Sequence, residues 1–197
     1  VALLVPDYIG YCRSDGIFNF KNCVDTLTRS ENFLAGKMAG KDLKTGQEIH
    51  LNFDRIILLG SSWGGAIAPF LEKYRRSQIR QIGLISPLTN WISQGKTKYQ
   101  EEGGIATMKL LQNGFGNIYR GFAKSEWPEI FSGKNREFNP IDNVALLINK
   151  NVYIIHGNKD HVIHWSKNRQ YYLRLKAISQ KKVLWKLLPN ATHAPSS

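Results

Sequence analysis

Short apolar runs rich in β-branched residues alternate along the chain with longer segments whose apolar positions recur every third or fourth residue. The runs are "VALLVP" (1–6), "RIILLG" (55–60), "QIGLIS" (81–86), "NVYIIHG" (151–157) and "KVLWKLL" (182–188). They do not alternate apolar with polar, which is the pattern of strands covered on both faces. Between them, residues 22–38 place Val24, Leu27, Phe33, Leu34 and Met38 on one helical face, and "GGAIAPFLEKYRR" (64–76) and "WSKNRQYYLRLKAI" (165–178) also read as helices. Residues 39–54 read as a polar connection. Strands and helices in this order predict an α/β protein, a mostly parallel sheet with helices on both faces. Pro69 falls inside the second helix and predicts a kink there.

Residues 90–140 interrupt the rhythm, with one helical piece, "IATMKLLQNGF", and no convincing strand. A connection this long is expected to be a functional insertion or disordered. Phe115, Tyr119, Phe122, Trp127 and Phe131 argue against disorder, which is poor in aromatic residues. The expectation is a single domain over 1–197, with a core of 1–89 and 141–197 and a small lid at 90–140. The lid would lie over the carboxyl edge of the sheet, where open α/β sheets bind ligands. Trp91, Phe115, Tyr119, Phe122 and Trp127 are the candidate substrate contacts.

The stretch "RIILLGSSWGGAIAPF" (55–70) carries the candidate chemistry. Gly60-Ser61-Ser62-Trp63-Gly64 is Gly-x-Ser-x-Gly at the end of a strand and the start of a helix. A turn this sharp forces Ser62 into a strained backbone and lifts its hydroxyl above the sheet. Side chains at 60 and 64 are expected to clash with the neighbouring strand and helix. The amide of Trp63, at the start of the helix, would donate to a developing oxyanion.

A serine hydroxyl needs a base, and the base needs an orienting carboxylate. In this architecture the chain order is serine, acid, histidine. Asp160 follows the strand at 151–157 and His193 follows the strand at 182–188, both at carboxyl ends. Asp142 precedes its strand and faces the wrong end. His156 lies at a strand tip, His161 and His164 flank Asp160 in a loop, and His50 reads as a surface residue. "HVIH" has no third ligand nearby, so neither a metal nor a cofactor is expected.

Charge changes this picture little. The 27 basic and 15 acidic residues give a net charge of +12, concentrated towards the end of the chain. The basic residues are dispersed at helical or strand-exposed spacing, without zinc-finger spacing, an RNA-binding aromatic signature or a phosphate loop. They read as a solvated face, so the expected partner is a small-molecule ester or peptide, with no nucleic acid and no membrane. Two cysteines, Cys12 and Cys23, make neither a disulfide framework nor a metal quartet, consistent with a cytoplasmic protein. The opening on Val1 in mid-strand reads as an incomplete N-terminus.

With "LLGSSWGG", "NPIDNV…NVYIIHGNKDHVI" and "LLPNATHA" in place, the chain resembles the α/β-hydrolase superfamily over nearly its whole length. The last two motifs look like prolyl-oligopeptidase-type and serine-aminopeptidase-like serine hydrolases, whose His-Gly-x-x-Asp-x-x-Val turn is matched by His156, Gly157, Asp160 and Ile163, or by Val162 with a one-residue slip. "LLVPDYIGYCRSDG" is similar to the fourth strand of that family and its loop, with Ile9 in place of the usual Arg and Cys12 in place of a Gly. The resemblance implies an acyl-enzyme on Ser62, formed from an ester or a short peptide-like amide. Alternatives are a thioesterase or acyltransferase of the same fold, or a non-catalytic relative with a basic binding face. It also implies three earlier strands, one of them inserted beside the strand at 55–60, and a second oxyanion donor from the segment carrying them. Without that strand, "VALLVP" is expected to leave a gap at the sheet centre.

Overall fold

The computed structural model describes residues 2–74, 76–93, 107–109, 112–113 and 118–193. Its centre is a parallel sheet of four contiguous strands: β3 (Ile57–Ser61), β4 (Gln81–Ile85), β5 (Asn151–Gly157) and β6 (Val183–Leu188), in that spatial order. A two-stranded antiparallel ribbon, β1 (Gly40–Lys41) with β2 (Glu48–Ile49), lies within the polar connection. In-register pairs such as Leu59↔Gly83 and Gly83↔Tyr153 align the carboxyl ends of β3, β4 and β5.

Burial differs between the two faces. Ile82, Leu84, Val152, Ile154 and His156 form a buried row, while the alternate row, with Gln81, Gly83, Asn151 and Tyr153, is half-buried. Helix α5 (Trp165–Ile178) packs on β5 and β6, with Asn168, Tyr171 and Leu175 buried at helical spacing. Helix α1 (Phe20–Leu34) starts at Asn19, whose side chain accepts the Asn22 amide, and buries Phe20, Cys23, Val24 and Leu27. It packs against α2 (Trp63–Ile67) and α3 (Leu71–Tyr74). Met38, expected on its apolar face, lies beyond its end and is exposed.

Pro69 acts as expected. It sits in a 3-10 turn, Ala68–Phe70, that separates α2 from α3. Proline has no amide to donate, and the tighter turn carries the chain past the missing bond.

The amino-terminal run corrects the reading of 1–6 as a buried strand. Residues 2–6 form no strand, and Leu3 and Val5 are 82% and 79% exposed. A strand is made by its neighbour's hydrogen bonds, and among the described residues none lies alongside this segment. Among the described residues the sheet therefore has no internal gap, and β3 pairs on one side only.

Residues 118–140 fold back on the core. A 3-10 turn (Phe122–Lys124) leads into α4 (Trp127–Ser132), and Glu126 Oε1 accepts the Phe20 amide at 2.8 Å. The expected helix at 105–115 falls mostly outside the described residues.

Candidate active site

The site is built on the turn from β3 to α2. Ser62 has φ 49° and ψ −113°, a conformation that side chains rarely adopt. The backbone on both sides of it is tied to the end of β4: the Ser62 amide donates to Ile85 O and the Leu88 amide donates to Ser62 O, both at 3.0 Å. Two glycines make this approach possible. A Cβ at Gly60 would stand 2.6 Å from Gly64 O, and one at Gly65 would stand 2.5 Å from the Pro87 side chain. At Gly64, by contrast, the nearest atom is the Tyr8 hydroxyl at 3.4 Å, an ordinary contact. The steric demand expected at 64 therefore falls on 65.

The loops after β5 and β6 meet above this turn. The Asn158 amide donates to Leu188 O at 3.0 Å, the Lys159 amide to Ala191 O at 2.9 Å, and the Asn190 amide to Asn158 Oδ1 at 2.7 Å. Gly157 allows the closeness, since a Cβ there would lie 2.5 Å from Thr192 O and nearer still to Ala191 O.

The three residues expected to act together are within hydrogen-bonding distance. His193 Nε2 lies 2.9 Å from Ser62 Oγ, and His193 Nδ1 lies 2.7 Å from Asp160 Oδ2. A carboxylate only accepts, so Nδ1–H donates to it and Nε2 is left to accept the Ser62 hydroxyl proton. The Asp160 side chain has no exposed surface, whereas that of His193 is 23% exposed.

Asp160 is held from all sides. The Val162 and Ile163 amides donate to Oδ1 at 2.8 and 2.9 Å, and His156 Nε2 approaches Oδ2 at 2.9 Å. Burial alone pushes this carboxyl up. Hydrogen bonds from His156, His193 and the Ile163 amide outweigh it and hold the group well below the usual carboxylate range. A buried carboxylate that stays ionised beside an imidazole is suited to orienting it and to stabilising the imidazolium.

Trp63 anchors the start of α2. Its ring packs against Trp91, Trp127, Phe18 and Phe131 at centroid distances of 4.8, 4.7, 5.6 and 5.9 Å. Trp91 and Trp127 are completely buried and Phe122 nearly so. This corrects their reading as substrate contacts, because a side chain with no exposed surface packs the floor of a site and does not reach a ligand. Tyr119, half-buried, stacks 6.3 Å from Trp63 at the rim. Phe115 lies outside the described residues.

His156, which the sequence places at a strand tip and in the matched His-Gly-x-x-Asp turn, is a further member of the site that sequence alone assigns no role. The signal was present in its spacing, four residues ahead of Asp160 across a tight turn. His164 caps α5 through Ser166. Among the described residues no group of three or more His, Cys, Asp or Glu is placed to hold a metal ion. No helix among them is long and apolar enough to cross a membrane.

A serine on a strained strand-to-helix turn, with an acid and a histidine following in that order from parallel strands, defines the α/β-hydrolase class. Residues 24–196 match the family model described as alpha/beta hydrolase fold, and the chain belongs to that family. No curated protein sequence matches it. Among solved structures, a thermophilic esterase from Thermogutta terrifontis with malate bound aligns over 96% of this chain and 72% of its own, at 15% identity and a TM-score of 0.57. A meta-cleavage product hydrolase aligns over 95% of this chain and 71% of its own, at 16% identity and a TM-score of 0.56. The acylaminoacyl peptidase of Pyrococcus horikoshii aligns over 89% of this chain, at 14% identity and a TM-score of 0.55. The chain spans 23% of that peptidase's length. These likenesses establish the shared fold.

Proposed function

We propose that the chain is a serine hydrolase that cleaves an ester or a short peptide-like amide through an acyl-enzyme on Ser62. The observation that carries this reading is the line of two hydrogen bonds, Ser62 Oγ to His193 Nε2 at 2.9 Å and His193 Nδ1 to Asp160 Oδ2 at 2.7 Å. His193 takes the Ser62 proton as Oγ bonds the carbonyl carbon, and the carbonyl oxygen becomes an oxyanion. The Trp63 amide stabilises that charge at the start of α2. Collapse of the tetrahedral intermediate expels the alcohol or amine, which receives the proton from His193. Water then attacks the acyl-enzyme, His193 again taking and returning a proton, and the acid product leaves Ser62 free.

The similar structures, an esterase and an acylaminoacyl peptidase, support a carboxylic ester or amide as substrate. Tyr119, half-buried beside Trp63, is the remaining described candidate for a substrate contact. The free thiols of Cys12 and Cys23 support a reducing, cytoplasmic setting.

The test is covalent labelling of the full chain with a fluorophosphonate, together with hydrolysis of a chromogenic short-chain ester. Labelling is expected on a peptide containing Ser62, and Ser62→Ala is expected to abolish it and to lower kcat by a factor on the order of 10⁴ or more. Labelling that survives Ser62→Ala overturns the assignment. Matched ester, thioester and aminoacyl-amide substrates then rank the leaving groups.

A further inference from the structure

Asp160 is bonded on one side by His193, which the proposed reaction uses, and on the other by His156, which that reaction leaves idle. His156 is completely buried at the carboxyl end of β5. Its Nε2 lies 2.9 Å from Asp160 Oδ2 and 2.9 Å from Ile163 O. Both are acceptors, so Nε2 carries a proton shared between them.

The other ring nitrogen is equally determined. His156 Nδ1 lies 2.7 Å from Asn168 Nδ2, and the same Nδ2 lies 2.7 Å from Pro87 O. A carbonyl oxygen only accepts, so this atom of Asn168 is its amide nitrogen, with one hydrogen for Pro87 and one for Nδ1. The orientation is confirmed from the far end, where the Thr89 hydroxyl donates to Asn168 Oδ1 at 2.6 Å. Asn168 and Thr89 are buried too. Nδ1 therefore has no room for a hydrogen, and His156 is fixed as the tautomer protonated on Nε2.

The result is an unbroken line from Thr89 through Asn168, His156 and Asp160 to His193 and Ser62. It draws on the loop after β4, on α5, on the end of β5 and on the loops after β5 and β6. Every polar side-chain atom of Asn168 and His156 is used, which is the condition under which a buried polar network rigidifies its surroundings.

We propose that His156 is a positioning residue that holds the Asp160 carboxylate in register with His193 through its Nε2–H, with Asn168 and Thr89 fixing its tautomer. This rests on the serine-hydrolase reading above. Oδ2 receives two imidazole N–H groups, and Oδ1 receives two amides. The carboxylate is thereby prevented from rotating as charge develops on His193. Removing His156 leaves Oδ2 with one partner and frees that rotation.

The test compares the full chain with His156→Leu, His156→Gln and Thr89→Val, by fluorophosphonate labelling rate and by ester hydrolysis. Leu has similar bulk and no donor, and is expected to lower both kcat and the labelling rate by about 10- to 100-fold, with KM within about twofold. Gln, which restores an N–H, is expected to recover most of the loss. Thr89→Val, two links further out, is expected to lower kcat less than His156→Leu. A folded His156→Leu protein that labels at the unaltered rate overturns the proposal. Should that variant not fold, ¹⁵N NMR of the unaltered protein decides. A His156 ring with its hydrogen on Nε2 supports the proposal, and one with its hydrogen on Nδ1 overturns it. Failure of the unaltered protein to be labelled at Ser62 sinks the serine-hydrolase reading instead, and is thus distinguishable from failure of the role given to His156.

Discussion

Strands β5 and β3 are written in the same chemical alphabet and end in different places. "NVYIIHG" lies between β4 and β6, with Val152 and Ile154 at 1% exposure or less and a fully used polar group, His156, at its tip. "RIILLG" pairs with β4 alone among the described residues, and its Ile57 and Leu59 are 51% and 61% exposed. Both strands nevertheless bring a member of the candidate site to the same end of the sheet, Asp160 just beyond β5 and Ser62 just beyond β3. Burial is conferred by neighbours, whereas the position of the site is conferred by where strands end. The proposed nucleophile follows the less covered strand and the buried carboxylate follows the most covered one.

Asp160→Asn strikes the covered side hardest. It leaves the packing in place and removes the charge that His193 Nδ1 addresses, so kcat is expected to fall by a factor on the order of 10⁴. The same variant tests acid stability. The folded state holds this carboxyl below its ordinary range, so the ionised group contributes stability above that range and the contribution is lost as pH falls through and below it. Thermal melts of the unaltered protein and Asp160→Asn are expected to differ most near neutrality and to converge in acid. Parallel melting curves across that range would remove Asp160 as a stabilising charge.

Gly157→Ala drives a methyl group into the Ala191 and Thr192 carbonyls. It is expected to cost more than about 2 kcal/mol and to abolish activity by displacing the loop that carries His193. Urea melts and ester assays report both. The two strands are compared directly by truncating one aliphatic side chain on each. Ile154→Ala should cost about 2–5 kcal/mol, and Leu59→Ala less than about 1 kcal/mol. Equal losses in urea denaturation would mean that the exposed face of β3 is covered in solution. The smallest effect is expected for Leu59→Lys, within about 0.5 kcal/mol in stability but with lower self-association by light scattering, since a charge on a free edge discourages pairing with another chain.

The strands at 55–60, 81–86, 151–157 and 182–188 and the helix at 165–178 were legible because each apolar run is short and each is followed by turn chemistry. Ser62, Asp160 and His193 were legible because this architecture fixes both their order and the strand ends they follow. The segment 1–6 was not, because its composition is that of a strand while its conformation depends on a partner. The aromatic residues of 90–140 announced packing but not which side they face. Trp91 and Trp127 turned inward, where their indole nitrogens reach Phe138 O and Phe18 O. His156 was visible as a residue but not as a support, since its partner Asn168 is brought to it only by α5, and Pro87, whose carbonyl holds Asn168, only by the end of β4.

Three of the five tryptophans, Trp63, Trp91 and Trp127, meet with ring centroids 4.7 to 5.4 Å apart. Transition dipoles this close share their excitation, so the native chain is expected to show an intense near-ultraviolet circular dichroism band that a loosened core would lose. Trp63 directly follows Ser62 in the backbone, which would make this band an optical gauge installed beside the candidate site, readable without any attached dye.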